Sequence, residues 1–110
     1  MIDKSYLRSS IFRHLDGLAV APVAIALKNK GVLEYVLENK QVSLSELKTR
    51  FKANEGYLNV GLRVLCSQGF LDYHIDNATD VISFSVNDKS SVAFSLVHLY
   101  QDSVDLLQFS

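Results

Sequence analysis

The sequence predicts a mainly α-helical domain that carries one small β-hairpin, and three observations lead to this prediction. The segment Ser-Leu-Ser-Glu at 43–46 has the pattern of a helix capping box. Asn54 is a suitable N-cap for a helix that would end near Gln68, with Gly69 as its left-handed stop. The β-rich runs FLDYHI and VISFSV flank DNATD, a cluster of turn-forming residues.

The first third of the chain predicts three helical segments. Apolar residues at helical spacing indicate an N-terminal helix over about residues 5–20. Pro22 suits the first turn of a new helix, where a missing N–H costs nothing, so a second helix is expected from Pro22 to near Gly31. Residues 32–40 then form a further helical segment.

Apolar stripes predict the buried faces of the next two helices. Leu44, Leu47 and Phe51 would form the buried stripe of the capped helix. The helix after Asn54 has a stripe of leucines, widened by other apolar residues: Leu58, Leu62, Leu65, Tyr57, Val60 and Val64. The order helix, helix, capped helix, turn, helix, strand, turn, strand is that of a winged helix-turn-helix, with its centre at about residues 22–87.

The segment after the hairpin predicts one or two more helices over about residues 90–108. Its apolar arc covers nearly half of a helical wheel, which is wider than packing on one core requires. The excess indicates a second partner surface, and the N-terminal helix raises the same possibility. We therefore expect a symmetric homodimer. Its interface would use apolar residues of both terminal helices: Leu7, Ile11, Phe12, Leu15, Leu96, Leu99, Tyr100 and Leu106.

Composition bounds the class of protein. The 110 residues, 48% hydrophobic and 21% charged, are expected to form a single folded domain, residues 1–110. The formal net charge is −1, whereas a free-standing nucleic-acid binder usually has a basic excess. No apolar run approaches the roughly 20 residues of a membrane span, so no membrane partner is expected and a cytoplasmic location is predicted.

Charge placement argues against DNA binding. On the exposed face predicted for the helix after Asn54, Glu55 offsets Arg63, and the hairpin tip carries two aspartates that phosphates would repel. A basic cluster at the end of the capped helix is the strongest feature in favour of DNA, although the helix dipole also accounts for it. If the chain is instead a DNA-binding winged-helix transcription regulator, the contacting residues would be Lys48, Arg50, Lys52, Asn59 and Arg63.

Catalytic and metal sites are not expected. His14, His74 and His98 lie on different predicted elements and lack the spacing of a metal-binding face. Cys66 lies on a structural helix, where a packed and unreactive thiol is the usual case.

Three motifs in order resemble the N-terminal dimerisation domain of S-adenosylmethionine-dependent O-methyltransferases. They are the apolar segment ALKNKGVLEYV, the capped SLSEL and the run YLNVGLRVLCSQGFLD, and the resemblance covers roughly residues 18–90. It implies a non-catalytic domain that pairs with its twin and precedes a catalytic domain that binds S-adenosylmethionine.

The chain itself departs from that family's cofactor motif. Its five glycines form no glycine-rich loop, so no cofactor is expected in this chain and a catalytic fragment is disfavoured. Under the resemblance the chain would be a fragment of a larger enzyme, or else a small protein that keeps only this module.

Overall fold

A computed structural model describes residues 4–108, except for the side chains of 12–17 and 103–108. The helices and strands in this part are α1 (Lys4–Asn29), α2 (Val32–Asn39), β1 (Gln41–Ser43), α3 (Leu44–Phe51), α4 (Glu55–Ser67), β2 (Asp72–Ile75), β3 (Ile82–Ser85), α5 (Ser90–Ser95) and α6 (Val97–Gln108). The predicted fold class is confirmed: the molecule is mainly helical with a small antiparallel sheet.

Helix α1 is continuous, so the predicted break at Pro22 is wrong. Pro22 lies inside the helix and faces solvent. Val20 precedes it and Ala24 and Leu27 follow it, and all three side chains are buried in the core. Packing on both sides of the proline outweighs the loss of one backbone hydrogen bond, because tertiary contacts supply most helical stability.

The sheet has three strands in the order β1-β3-β2, one more than the hairpin predicted from sequence. Gln41 of β1 pairs antiparallel with Ser85 of β3, and Asp72 of β2 pairs with Ser85 from the other side. Strand β1 has only three residues, which is too short for an alternating pattern to be visible in the sequence.

The predicted helix caps are confirmed. The Glu46 amide donates to Ser43 Oγ at 3.1 Å, and the Ser43 amide donates to Glu46 Oε1 at 3.3 Å. Asn54 Oδ1 accepts from the Tyr57 amide at 3.1 Å. Gly69 follows α4 with φ of +82°, a conformation that glycine adopts without steric cost.

The core lies between α1, the helices α2 to α4 and one face of the sheet. The predicted stripe Leu58, Leu62 and Leu65 is buried in the core. The same core contains buried residues of the neighbouring segments: Val32, Val36, Leu47, Leu71 and Phe84. Tyr57 and Val60 were expected to widen this stripe, but they are 82% and 64% exposed. Helix α1 approaches α4 closely at Gly61, where a side-chain atom of Val23 would lie 3.3 Å from an added Cβ.

The terminal helices extend the molecule beyond this core. Two helices follow the sheet, and α6 packs against α1. The radius of gyration is 15.1 Å, against about 13 Å for a compact chain of this length. No helix of the described chain is long and apolar enough to cross a membrane.

Candidate nucleic-acid interface

Helices α3 and α4 form the helix-turn-helix unit. Their connection, residues 52–54, turns through Lys52, whose φ is +50° in the left-handed region. The Asn54 cap then starts α4, so that the first turn of α4 projects from the surface beside the end of α3. The N-terminal turn of such a helix presents backbone N–H groups and the positive end of its dipole to solvent.

Three lysines surround this first turn of α4. Lys48 Nζ lies 3.6 Å from Glu55 Oε2, and both side chains are about half exposed. Lys30, which directly follows α1, and Lys52 line one pocket together with Asn54. Neither of these two ammonium groups has an ion-pair partner among the residues that the structure describes. The first turn of α4 is therefore a locally basic region on a chain of net charge −1.

Two arginines are held against aromatic rings. The guanidinium of Arg50 lies 4.9 Å from the ring centroid of Tyr35, and that of Arg63 lies 4.7 Å from the centroid of Tyr73. Both arginines remain exposed, so stacking fixes their orientation without burying their charge. The Tyr35 hydroxyl donates to Glu46 Oε2, and this hydrogen bond raises the pKa of Tyr35 above its usual value.

Asn59 differs from its predicted position on the exposed face of α4. The residue is half-buried, and its Oδ1 is buried with no hydrogen-bond partner among the described atoms. Of the five residues predicted for DNA contact, the structure therefore exposes Lys48, Arg50, Lys52 and Arg63, but not Asn59 in full. Lys30 completes the basic region, and sequence reasoning missed it because it comes from a distant segment.

The wing, the β2–β3 hairpin with its tip at residues 76–80, is acidic and tightly turned. Asp76 Oδ1 accepts from the Ala78 amide at 2.8 Å, and Asp80 adopts φ of +56°. At the base of the wing, His74 Nε2 and Ser85 Oγ lie 3.1 Å apart in a hydrogen bond across the strands. The Asp76 carboxylate thus orders the turn, and its charge still opposes close approach of phosphates.

A half-open pocket of about 320 Å³ lies between the second half of α1 and the start of α4. Its walls are mostly apolar, and they include Lys30 and Lys52. The lining residues are Val23, Ala26, Leu27, Lys30, Lys52, Ala53, Asn54, Tyr57, Leu58 and Gly61. No local sequence pattern predicts this pocket, since it depends on where the continuous α1 crosses α4.

The residues predicted for a dimer interface fall into three groups. Leu7, Ile11, Leu96 and Leu99 are exposed apolar side chains, as the prediction requires. Tyr100 instead packs partly buried against the core. The side chains of the remaining three, Phe12, Leu15 and Leu106, lie outside the described residues.

Other reactive groups do not form a site in the described structure. No group of three metal-ligating side chains occurs among those that can be described. Cys66 packs partly buried against the core, in agreement with the packed thiol expected from the sequence. Burial raises the pKa of the Cys66 thiol to about 11, with a further contribution from Asp72.

Solved structures with the same arrangement are winged-helix proteins. YusO from Bacillus subtilis matches with a TM-score of 0.54 at 17% identity, over 99% of this chain and 86% of YusO. The transcriptional regulator BldR from Sulfolobus solfataricus matches with a TM-score of 0.54 at 10% identity, over 94% and 82% of the two chains. The reduced form of MarR from E. coli gives 0.52 at 14% identity, over 93% and 78%. These similarities establish the winged-helix fold.

The chain belongs to the family described as the AprA N-terminal domain, whose family model matches residues 7–73, more than half of the sequence. No curated protein matches it in sequence.

These findings correct the functional interpretation made from sequence. The assignment to a methyltransferase dimerisation domain is wrong: the matching family is the AprA N-terminal domain, and the structural neighbours named above include the transcriptional regulator BldR. The assignments to a methyltransferase and to S-adenosylmethionine are unsupported for the same reason. No comparison supports a downstream catalytic partner either. The expectation that nucleic acid is not a partner is likewise unsupported, and the alternative of a winged-helix regulator agrees better with the comparisons.

Proposed function

We propose that this chain is a self-associating winged-helix domain of a transcription regulator, and that it contacts DNA with the first turn of α4. The observation that carries the proposal is the convergence of Lys30, Lys48 and Lys52 on that turn. Helix-turn-helix proteins dock this end of their second helix against DNA, where backbone N–H groups and cations receive phosphates.

The contact is mainly one of phosphate binding and not of base reading. Tyr57 and Val60 are the exposed side chains next to the basic turn, and apolar groups distinguish few base edges. Arg63 is the one exposed residue of α4 within the described structure that could reach a guanine. The acidic wing would stand away from the duplex. Modest affinity with low sequence preference follows.

Self-association would increase that affinity by presenting two copies of α4. The exposed apolar residues Leu7, Ile11 and Leu18 recur at helical spacing along one side of α1. Leu96 and Leu99 add apolar area at the start of α6, which packs against α1. A two-fold contact is the most common way for a surface of this kind to be covered, because each copy offers the same patch.

Salt-dependent DNA binding tests the proposal. Fluorescence anisotropy of a labelled mixed-sequence duplex would be measured between about 25 and 200 mM salt, conditions over which phosphate contacts weaken strongly. Three lysine contacts per subunit predict a slope of about −3 for log K against log salt, and roughly twice that for a dimer.

Two charge variants make the result specific. Lys52→Gln should reduce the magnitude of the slope by about 1 per subunit. Lys89→Gln removes an exposed cation at the N-cap of α5, outside the basic turn, and should leave the slope unchanged. Absence of binding at the lowest salt, or equal effects of the two variants, would refute DNA contact through this turn.

A further inference from the structure

We propose that Val60 makes α4 select thymine, by contacting the 5-methyl group that thymine presents in the major groove. The inference rests on the proposed function, because it concerns what the same helix contacts between the phosphates. Its starting observation is an apolar surface where a DNA-facing helix is expected to be polar. Val60 is 64% exposed and Tyr57 is 82% exposed, and both lie in the first two turns of α4.

Val60 lies in the middle of the solvent-facing ridge of α4. Gly56, Val60 and Arg63 follow each other at spacings of four and three residues, which places them on one side of a helix. All three are exposed. Gly56 has no side chain and that of Val60 is short, so the backbone of these two turns can lie close to the edges of base pairs. The valine methyl groups are then the first side-chain atoms that a base would meet.

The amide and carboxylate side chains at the start of α4 are already engaged or buried. Asn54 Oδ1 accepts the Tyr57 amide as the helix cap. Glu55 Oε2 lies 3.6 Å from Lys48 Nζ. Asn59 is half-buried with its Oδ1 shielded from solvent, so the paired hydrogen bonds by which asparagine reads adenine are not available. These two turns therefore offer a base edge an apolar contact in place of a hydrogen-bond pattern.

Thymine is the base whose edge suits such a surface. In the major groove the other three bases show hydrogen-bond donors and acceptors, whereas thymine adds a methyl group at C5. Covering that methyl group with the Val60 side chain removes apolar area from water and should favour thymine about fourfold over a base that lacks it. Tyr57, three residues earlier and therefore beside Val60 on the helix, adds apolar area for a neighbouring thymine.

The charges around this surface indicate duplex DNA and not a protein as its partner. Lys52 precedes α4, and Arg63 follows Val60 by almost one turn, so exposed cations lie at both ends of the apolar surface. The Arg63 guanidinium lies 4.7 Å from the Tyr73 ring centroid, and this stacking holds it in place while it stays exposed. Thymine methyl groups lie in a groove between two rows of phosphates, and an apolar surface with a cation at each end matches that arrangement.

The test compares thymine with uracil, which has the same hydrogen-bonding groups and lacks only the methyl group. It uses two labelled duplexes of equal length, one of alternating adenine and thymine and one of alternating adenine and uracil on the same deoxyribose backbone. Every register of such a repeat presents the same edges, so no target sequence has to be known. Fluorescence anisotropy with the full chain at low salt should give about fourfold tighter binding of the thymine duplex.

Two valine variants assign the preference to α4. Val60→Ala removes the contact and should lower the thymine-to-uracil ratio of affinities to nearly one. The variant should fold, because Val60 is exposed and alanine is the stronger helix former. Val92→Ala is the matched control, because it makes the same change at an exposed valine of α5, and it should keep the ratio of about four.

The outcomes separate this inference from the proposed function. Equal affinity of the wild type for the two duplexes would overturn the inference and leave DNA binding itself in place. A ratio that survives in Val60→Ala would also overturn it, because the preference would then come from the shape of the duplex. A ratio lost equally in Val92→Ala would do the same. Absence of binding to either duplex at the lowest salt would refute the proposed function, and the inference with it.

Discussion

Individual residues decide where the two helices of the helix-turn-helix unit, α3 and α4, begin. The Ser43 side chain and the Glu46 carboxylate each satisfy one amide at the start of α3. Glu46 also accepts the Tyr35 hydroxyl of α2, so one carboxylate ties the cap to the neighbouring helix. Because α3 has only eight residues, its stability depends on this cap more than that of a long helix would.

Removing the cap should weaken the whole domain. Ser43→Ala leaves the Glu46 amide without its partner and should lower the free energy of unfolding by about 1 kcal/mol. Thr49→Ala, an exposed position of the same helix, is the matched control and should change stability little. Urea denaturation followed by circular dichroism would measure both. Equal losses in the two variants would show that the cap contributes nothing specific.

The Cys66 thiol should react slowly. With its pKa raised from 9.0 to about 11 by burial, its thiolate at about pH 8 is roughly a hundredfold rarer than that of an ordinary thiol. A more basic thiolate is a better nucleophile, and each Cys66 thiolate should react about tenfold faster than an ordinary one. Alkylation by iodoacetamide should therefore be about tenfold slower in the folded protein than in urea.

The same shift has a consequence for stability. The folded pKa is the higher one, so the thiol's contribution is fully present below about pH 9 and is lost as the pH rises towards 11. Cys66→Ala should therefore reduce the decline in stability over that range. An alkylation rate equal to that of the unfolded chain would contradict the burial of this thiol.

At the scale of elements, one buried serine connects the C-terminal helices to the winged-helix centre. Ser90 is 1% exposed at the start of α5. Its hydroxyl donates to the Phe70 carbonyl and accepts from the backbone amide of Asn87 at 3.0 Å. The side-chain Nδ2 of Asn87 in turn donates to the Gly69 carbonyl at 3.1 Å. The segment that follows α4 and the start of α5 are therefore joined by one set of hydrogen bonds.

Loss of that hydroxyl should be costly. Ser90→Ala leaves the partly buried Phe70 carbonyl and the partly buried Asn87 backbone amide without this partner, and the free energy of unfolding should fall by about 1–3 kcal/mol. Ser91→Ala changes an exposed neighbour in the same turn and should have little effect. Thermal denaturation compares the two variants. If both melt at the wild-type temperature, the junction does not hold α5 in place.

At the scale of the whole molecule, the terminal helices leave apolar area that the monomer does not cover. The radius of gyration exceeds that of a compact chain because α1 extends past the core, with residues 4–11 exposed. Interfaces of stable dimers bury more than about 1,000 Å² in total, an area that two paired α1 helices and their α6 neighbours could supply.

Charged residues on this surface should give a folded monomer. Ile11→Asp combined with Leu99→Asp places carboxylates on two exposed positions, so each chain should keep its core while association weakens. Ile75→Asp, an exposed apolar position on the wing, is the matched control and should leave the oligomer intact. Light scattering with circular dichroism gives both readouts.

A wild-type chain that is monomeric at high concentration would contradict self-association through these helices. A double variant that unfolds would do so as well, because it would place Ile11 or Leu99 in the core.

The sequence by itself determined the winged helix-turn-helix order, the two helix caps, the left-handed stop at Gly69 and the leucine stripe of α4. These features depend on neighbours within about four residues, where capping and periodicity act. It also identified the basic residues at the end of α3, although not Lys30, which follows α1 and lies near them.

Only the tertiary structure decided the continuity of α1 through Pro22, the third strand and the pocket beside Gly61. Each depends on segments that are far apart in sequence: the core holds α1 on both sides of its proline, and β3 pairs a strand too short to show a pattern. The partial burial of Asn59 and the exposure of Tyr57 and Val60 have the same origin. Where α1 crosses α4 sets which side of α4 faces solvent, and no local pattern encodes that crossing.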